Sequence, residues 1–182
     1  MKRTATKMIV TAAMLGAAAL GSASAIADGH APVIAEAQLN NLDGNQIGLA
    51  TITQTPHGVL VHVRVSDMPP GAKGIHFHSK ADCAPHTSFK SSMGHHGEGE
   101  GQHGLLNAQG PGKGDLGNIF VGENGVGELQ FFKSDVFLDK GDLPLLDDDG
   151  TAIVIHANED DQVTQPIGGA GPRLVCGLVA AT

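Results

Sequence analysis

The sequence contains no tryptophan, no tyrosine and only six phenylalanines among its 182 residues. Large aromatic side chains are therefore excluded as the main filling of a core, and valine, isoleucine, leucine and alanine must take their place. The length fits one domain with a sizeable core. No segment repeats at a fixed period, and no change in composition marks a linker between domains.

Positive charge is scarce as well. The sequence has 11 lysines and arginines against 19 aspartates and glutamates, which gives a formal net charge of −8. A chain this acidic lacks the basic surface that attracts nucleic acids and anionic membranes. We expect neither as a partner.

Long hydrophobic runs are absent except near the amino terminus. Residues 8–21 form an apolar run that follows a basic start and precedes several small residues. The run is shorter than the roughly 20 residues that cross a membrane, and the pattern is typical of a secretory signal peptide. We predict that residues 1–25 are a leader removed after Ala25, or alternatively after Ala27, and that residues 26–182 are the mature domain. The composition suits a bacterial envelope protein, so the predicted location is the periplasm, without membrane attachment after cleavage.

Only two cysteines are present, Cys83 and Cys176. In an oxidising compartment a single pair of cysteines most often forms a disulfide, which here would close a long loop. The alternative is a pair of free thiols or copper ligands.

Apolar residues alternate with polar ones in a series of short segments. The clearest is Val59 to Val65, where every second residue is valine, and this period of two indicates a β-strand. Eight segments are predicted as strands: Val33 to Leu39, Gln46 to Thr53, Val59 to Val65, Gly74 to His78, Asn118 to Val121, Gly127 to Phe132, Thr151 to His156 and Arg173 to Val179. No amphipathic helix is found, so the pattern predicts an all-β, eight-stranded antiparallel barrel or sandwich with long functional loops.

Two histidines lie one residue apart at the end of a predicted strand. Because side chains alternate across a strand, His76 and His78 share one face. Taken alone, the pair also fits two solvent-facing polar residues. A third histidine, His156, ends another predicted strand, and His95 lies in the long glycine-rich and histidine-rich segment between residues 79 and 117. A histidine-rich tract of this kind is a candidate for metal binding.

Four imidazoles favour copper. Cu(II) prefers tetragonal nitrogen ligands, and imidazole also tolerates Cu(I), so a copper ion could cycle between two states there. Zinc fits imidazoles too but cannot change valence. The other isolated histidines, His30, His57 and His62, are predicted to be solvated.

Further blocks of sequence surround these histidines. In order, they are Gly74-Ile75-His76-Phe77-His78, Cys83, Ser91-Ser92-Met93-Gly94-His95, His103-Gly104-Leu105-Leu106-Asn107, Gly110-Pro111-Gly112-Lys113-Gly114-Asp115-Leu116-Gly117-Asn118, His156-Ala157-Asn158-Glu159-Asp160-Asp161 and Gly168-Gly169-Ala170-Gly171-Pro172-Arg173-Leu174-Val175-Cys176-Gly177. With these blocks in this order, the sequence resembles the copper/zinc superoxide dismutase family, and specifically its bacterial periplasmic members, over about residues 33–180.

The resemblance implies a Greek-key β-barrel and a centre for two metals. The implied copper ligands are all histidines: His76, His78, His95 and His156. The implied zinc ligands, one of them shared with copper, are His95, His103 and Asp115. Asp160 matches a carboxylate that orients one copper-ligand ring and one zinc-ligand ring. Arg173 matches the arginine that holds an anion beside copper, so Arg173 and His95 are the implied catalytic residues. A disulfide between Cys83 and Cys176 is implied as well.

One position departs from the family pattern. Gly112 stands where the family has a histidine, so the zinc site is one ligand short of the usual four. Three outcomes are open: a neighbour replaces the ligand, a water completes the site, or the site is weak or empty. His96 is the first candidate for a replacement, and three others are weaker: Glu98, Glu100 and His86.

The function implied by the resemblance is that of an enzyme, a superoxide dismutase, which converts superoxide into dioxygen and hydrogen peroxide. Its partner is a small anion, its cofactors are copper and, at uncertain occupancy, zinc, and it is a monomer or a homodimer. The alternative, suggested by the missing zinc ligand and the histidine-rich loop, is a non-catalytic periplasmic protein that binds or buffers copper on the same scaffold.

Overall fold

The computed structural model of the chain describes residues 34–97, 99, 102–134 and 136–182. The predicted leader, His30, Glu98 and Glu100 lie outside the described residues. Within the described ranges, no helix has the length and apolar character that a membrane span requires.

In the part of the chain that the structure describes, strands and two short 3-10 turns make up the regular structure. The strands are β1 Ile34–Asn41, β2 Gln46–Thr55, β3 Gly58–Val65, β4 Gly71–His78, β5 Asp115–Val121, β6 Gly127–Ser134, β7 Ala152–His156, β8 Arg173–Leu178 and the two-residue β9 Ala180–Ala181. The 3-10 turns, Pro85–Thr87 and Lys90–Ser92, lie between β4 and β5. Each of the eight predicted strands is present, with ends that differ by a few residues, and β9 is an addition to the prediction.

Eight antiparallel strands close into one barrel. Their order is β2-β3-β6-β5-β4-β7-β8-β1, and β1 also pairs with β2, which joins the two ends of the sheet. The consecutive strands β4, β5 and β6 lie side by side, and β7 returns to lie beside β4. This arrangement is a Greek-key connection. The predicted fold class is therefore confirmed.

Aliphatic side chains fill the barrel. The valines of β3 at positions 59, 61, 63 and 65 all point inward and are at most 3 % exposed, as the period of two requires. Among the described residues, Phe77 is the one fully buried phenylalanine of the main core, where the other large, fully buried side chains are leucines and isoleucines. The core thus takes the aliphatic character that the composition predicts.

Two long connections cover the outer side of the barrel at β4. Residues 79–114 join β4 to β5, and residues 157–172 join β7 to β8. Backbone hydrogen bonds tie both connections to β4: the amide of His96 donates to the carbonyl of Phe77 at 2.9 Å, and that of Gly74 to the carbonyl of Asn158 at 2.8 Å. The face of β4 that points away from the core is therefore buried beneath loops.

A disulfide fixes the first of these connections to the barrel. Cys83 in the loop and Cys176 on β8 are bonded, with their Cα atoms 5.7 Å apart. The predicted disulfide is present. Phe89 packs nearby against the outer sides of β7 and β8, in a small second core with Val154 and Cys176.

Candidate metal centre

The centre is built on the adjacent strands β4 and β7. Alternation along β4 places Ile75 and Phe77 in the barrel core, and His76 and His78 on the opposite face. His156 is the last residue of β7, which pairs with β4. The loops above this face leave each of the three histidines at most 1 % exposed.

The fourth histidine comes from the long loop. His95 forms an isolated antiparallel bridge with His78, so its backbone runs alongside the end of β4. The centroid of its ring lies 4.1 Å from that of His76 and 5.1 Å from that of His78. The structure thus brings together the four predicted copper ligands from three separate parts of the chain.

The four side chains converge as a metal site requires. One possible ligand atom from each of His76, His78, His95 and His156 lies within 4.8 Å of the other three, close to the distance of about 4 Å between opposite ligands when each metal bond is about 2 Å long. Within the described ranges, three buried ring nitrogens of this set have no hydrogen-bond partner: His76 Nδ1, His78 Nε2 and His156 Nε2. A buried polar atom without a partner is costly, and a metal ion would satisfy all three. The residues fit the metal that the resemblance implies.

The opposite nitrogen of each of these rings is held by a hydrogen bond. His76 Nε2 lies 2.7 Å from Asp160 Oδ2, and His78 Nδ1 and His156 Nδ1 lie 2.9 and 3.0 Å from the carbonyl oxygens of Met93 and Gly171. Carbonyl and carboxylate oxygens only accept, so each of these ring nitrogens carries the proton. The inner nitrogens are consequently unprotonated and able to bind a metal.

Burial keeps these rings neutral. It lowers the pKa of His76 to about 4 and that of His156 to about 3, although hydrogen bonds to Asp160 and Gly171 oppose it. Burial also lowers the pKa of His78, and the positive charge of Arg173 adds to the effect. Near neutral pH a metal therefore does not compete with protons for these nitrogens.

A second group of side chains adjoins the first. His103 Nδ1 lies 2.8 Å and His95 Nδ1 lies 3.3 Å from the same oxygen, Oδ1 of Asp115. The other oxygen, Oδ2, accepts from the amides of Gly104 and Gly112 at 2.8 and 2.9 Å. The three predicted zinc ligands thus meet at Asp115 Oδ1, with His95 between the two groups.

Charge in this second group favours a cation. Burial acts to lower the pKa of His103, but hydrogen bonds to Asp115 and Asp160 prevail and raise it to about 10. Burial acts to raise the pKa values of both carboxyls, yet their hydrogen bonds, to His103 first of all, hold the two pKa values well below the ordinary range. Two buried carboxylates facing one ring thus attract positive charge, which either a proton or a metal supplies.

Asp160 connects the two groups. Its Oδ2 faces His76 at 2.7 Å and its Oδ1 faces His103 at 3.1 Å. The side chain of Asn118 fixes its backbone, donating to the carbonyl of Asp160 and accepting from its amide, both at 2.9 Å. The position of this carboxylate is thus set by β5 as well as by its own loop.

Arg173 and an open cleft lie next to the first group. The guanidinium of Arg173 donates to the carbonyl of Phe89 at 2.8 Å, to Ser92 Oγ at 3.0 Å and to the carbonyl of Met93 at 2.6 Å. The carbonyl of Met93 also accepts from His78, so one peptide orients both side chains. A cleft of about 490 Å³ is lined by Arg173, His156 and the exposed Lys90, among others. A small anion can enter it towards positive charge.

The remaining histidines lie elsewhere. His96 is buried, but Nε2 lies 3.2 Å from the carbonyl of Leu143 and Nδ1 lies 3.4 Å from Thr151 Oγ1. It belongs to neither metal-binding group among the described residues. His57 and His86 are exposed, and the partly exposed His62 is paired with Glu128 on the barrel surface.

Two residues near the centre are absent from the sequence-based predictions. Lys90 borders the cleft but begins a short 3-10 turn in the long loop, where periodicity gives no signal. Lys133 is 6 % exposed and bonds to Gly112. Its inward position could have been read from the sequence. In this segment every second residue points inward, as Gly127, Leu129 and Phe131 do, and the next inward position holds Lys133.

Comparison with known proteins agrees with this geometry. The family model for copper/zinc superoxide dismutase (SODC) matches residues 46–179. A Cu-Zn superoxide dismutase of Caulobacter vibrioides is 44% identical over 140 residues, which cover 75% of this chain and 80% of that protein. Cu-Zn superoxide dismutase 2 of Aquifex aeolicus is 40% identical over 147 residues, which cover 80% of this chain and 85% of that protein.

A solved structure shows the same fold. The crystal structure of a double mutant of a SOD-like protein from Bacillus subtilis superimposes with a TM-score of 0.73 at 35% identity, covering 79% of this chain and 95% of that one. Since the family model spans most of the described barrel and the relatives are this similar, the chain belongs to the copper/zinc superoxide dismutase family.

Proposed function

We propose that this chain is a superoxide dismutase with copper bound by His76, His78, His95 and His156. The observation that carries the proposal is the set of three buried ring nitrogens that have no partner among the described residues, each on a ring whose other nitrogen is fixed by a hydrogen bond. Such a site binds its metal with little movement of the ligands, as repeated redox cycling requires.

A copper ion held there would supply one-electron chemistry, by which one superoxide is oxidised to dioxygen and a second is reduced, with two protons, to hydrogen peroxide. Arg173, which lines the cleft together with His156, binds the anionic substrate. Its three hydrogen bonds to the loop hold the guanidinium in place without neutralising its charge. Because His95 Nδ1 faces Asp115, we assign to His95 Nε2, when no metal occupies it, the uptake of a proton that is passed to the reduced product.

We assign zinc to His95, His103 and Asp115. The two buried carboxylates around His103 favour a cation at this position. Both ring nitrogens of His96 have partners on other segments, which favours a water as the fourth ligand, or low occupancy, over replacement by His96. Zinc analysis of the purified wild-type protein and of His96→Ala tests this. We expect less than one zinc per chain in both proteins. A zinc content that is lower in His96→Ala than in the wild type would overturn the assignment.

The second candidate function is copper binding without catalysis. It is favoured by the absence of a side chain at Gly112, where the family has a zinc ligand. The distinguishing experiment is an assay of superoxide removal by the copper-loaded protein in the presence of a copper chelator, compared with the chelated metal alone. The enzyme assignment predicts removal far faster than by chelated copper. Equal rates would assign the chain to copper binding.

We also propose that residues 1–25 direct export and that the domain acts in the periplasm. The disulfide that joins the only two cysteines supports an oxidising compartment. Amino-terminal sequencing of protein recovered from the periplasm would identify the cleavage site, and recovery only from the cytosol would contradict the assignment.

A further inference from the structure

A buried lysine lies beside the position of the missing zinc ligand. Lys133 is on β6, where exposed residues alternate with inward ones, and it occupies an inward position next to the fully buried Val59 of β3. Its relative exposure is 6 %, and one partner of its ammonium group is the carbonyl oxygen of Gly112, at 2.6 Å. A buried ammonium group is costly unless it is well solvated by protein oxygens, so this position calls for an explanation.

Gly112 connects this lysine to the second metal-binding group. Its amide donates to Asp115 Oδ2 at 2.9 Å, and its carbonyl also accepts from the amide of Asp115 at 3.2 Å. The ammonium group therefore holds the carbonyl oxygen of Gly112, and the amide of the same residue holds the Asp115 carboxylate. Because Asp115 Oδ1 in turn faces His103, a chain of hydrogen bonds runs from β6 to the predicted zinc ligands.

We propose that Lys133 is a positioning residue that replaces the missing fourth ligand as the anchor of this loop. In a complete four-ligand site, the metal would hold residue 112 by binding the histidine side chain at that position. Here the ammonium group of Lys133 holds the same residue by its carbonyl oxygen. Asp115 and His103 are consequently held in place whether or not zinc is bound. The inference rests on the proposed function only in taking these residues as the zinc side of the centre.

Hydrogen exchange on the metal-free protein tests the anchor. In Lys133→Met we expect the amides of Gly104 and Gly112, which donate to Asp115, to lose at least about tenfold in protection, and the amide proton resonance of Gly112 to shift. Amides of β3 should keep their relative protection. Lys133→Arg, which retains a cationic donor, should keep most of the wild-type protection of the Gly104 and Gly112 amides.

Lys73 offers a matched control. It is the other buried lysine among the described residues, 7 % exposed, and its Nζ donates to the carbonyl of Pro70 at 3.0 Å. Lys73→Met removes an equivalent ammonium group without touching Gly112. Unchanged protection of Gly104 and Gly112 in Lys133→Met, or an equal loss in Lys73→Met, would overturn the anchor.

A measurement on the wild-type protein covers the case in which Lys133→Met does not fold. A scalar coupling through the hydrogen bond, between Lys133 Nζ and the carbonyl carbon of Gly112, should be detectable in the metal-free protein, and its absence would count against the proposal. None of these measurements needs superoxide or zinc. If the enzyme is active but its loop does not respond to substitution of Lys133, only the proposal about Lys133 is wrong. If the protein is inactive but its loop depends on Lys133, only the proposed function is wrong.

Discussion

The carboxylate of Asp160 accepts a hydrogen bond from His76 Nε2 at 2.7 Å, and both side chains are completely buried. The same carboxylate faces His103 with its other oxygen. One residue of the loop between β7 and β8 therefore fixes a ring in each of the two metal-binding groups.

Replacing Asp160 should weaken the zinc side more than the copper side. The two rings face different oxygens of Asp160. In Asp160→Asn one of these oxygens becomes an NH2 donor, so one ring loses its acceptor, whereas His76 keeps its neighbours on β4. We expect zinc affinity to fall about 10- to 100-fold, the usual range for a lost outer-sphere partner of a ligand, with copper retained. Competition titrations with a chelator measure both affinities. The exposed neighbour Glu159→Gln is the control, and equal losses for the two metals would contradict the role given to Asp160.

Two adjacent glycines test the packing around this carboxylate. Gly168 and Gly169 both have positive φ angles, 59° and 69°, but a Cβ at Gly168 would collide with the carboxylate of Asp160 and lie 2.8 Å from His103 Nε2, whereas one at Gly169 meets nothing within 4 Å. Both alanine variants carry the same backbone strain, of the order of 1 kcal/mol. We expect Gly168→Ala alone to reduce metal binding. The metal content and melting temperature of the two variants test this. Equal decreases in Gly168→Ala and Gly169→Ala would show that backbone strain alone is responsible.

Acid should destabilise the metal-free protein through its buried histidines. In the folded chain burial lowers the pKa of His156 to about 3 and that of His76 to about 4, against about 6.5 in an unfolded chain. Between these values the unfolded chain binds more protons, so the free energy of unfolding decreases as the pH falls from about 6.5 towards 4. His103, with its pKa raised to about 10, gives stability that is complete below about 6.5 and lost on the alkaline side, so it does not offset the acid effect.

Urea unfolding of the metal-free protein at a series of pH values measures this dependence. His156→Gln should flatten the acid side of the profile, since one proton fewer is taken up on unfolding. The exposed His57→Gln is the control and should leave the profile unchanged. An acid side equally steep in all three proteins would contradict the assignment to buried histidines.

Restoring the missing ligand should tighten zinc binding. Gly112→His places an imidazole three residues before Asp115, where the family has one. We expect zinc affinity to rise at least about tenfold, and the melting temperature in excess zinc to rise with it, because a ligand that binds only the folded state stabilises that state. Lys113→His, which adds an imidazole at the neighbouring position, controls for a non-specific effect. A melting temperature of Gly112→His that stays at the wild-type value in excess zinc would refute the prediction.

Strand periodicity was enough to predict most of the fold and two of the four histidines in the first metal-binding group. Alternation alone places His76 and His78 on one face, and the structure places them so, opposite Ile75 and Phe77. The convergence of His95 could not be derived in this way. It depends on backbone hydrogen bonds between a loop without periodicity and β4. The histidine-rich tract and the family resemblance indicated His95 as a ligand, but not the path of the loop.

Contacts made by the backbone of the loops could not be predicted from any pattern in the sequence. Nothing in the order of residues indicates that the carbonyl of Met93 serves both His78 and Arg173, or that His96 turns towards Leu143. Both depend on the path of the loop over the barrel, which is fixed by distant parts of the chain. Lys133 differs, because its inward position on β6 is readable from alternation, although its partner is not.

The rate of superoxide decay as a function of copper content tests the central proposal most directly. Pulse radiolysis of the mature protein, loaded with increasing amounts of copper in the presence of a chelator for loosely bound metal, gives this rate. A single four-histidine site predicts that the rate rises in proportion to bound copper up to one ion per chain and then stays constant. A rate that remains at the level of chelated copper while one ion per chain is bound would contradict the assignment of the chain as a superoxide dismutase.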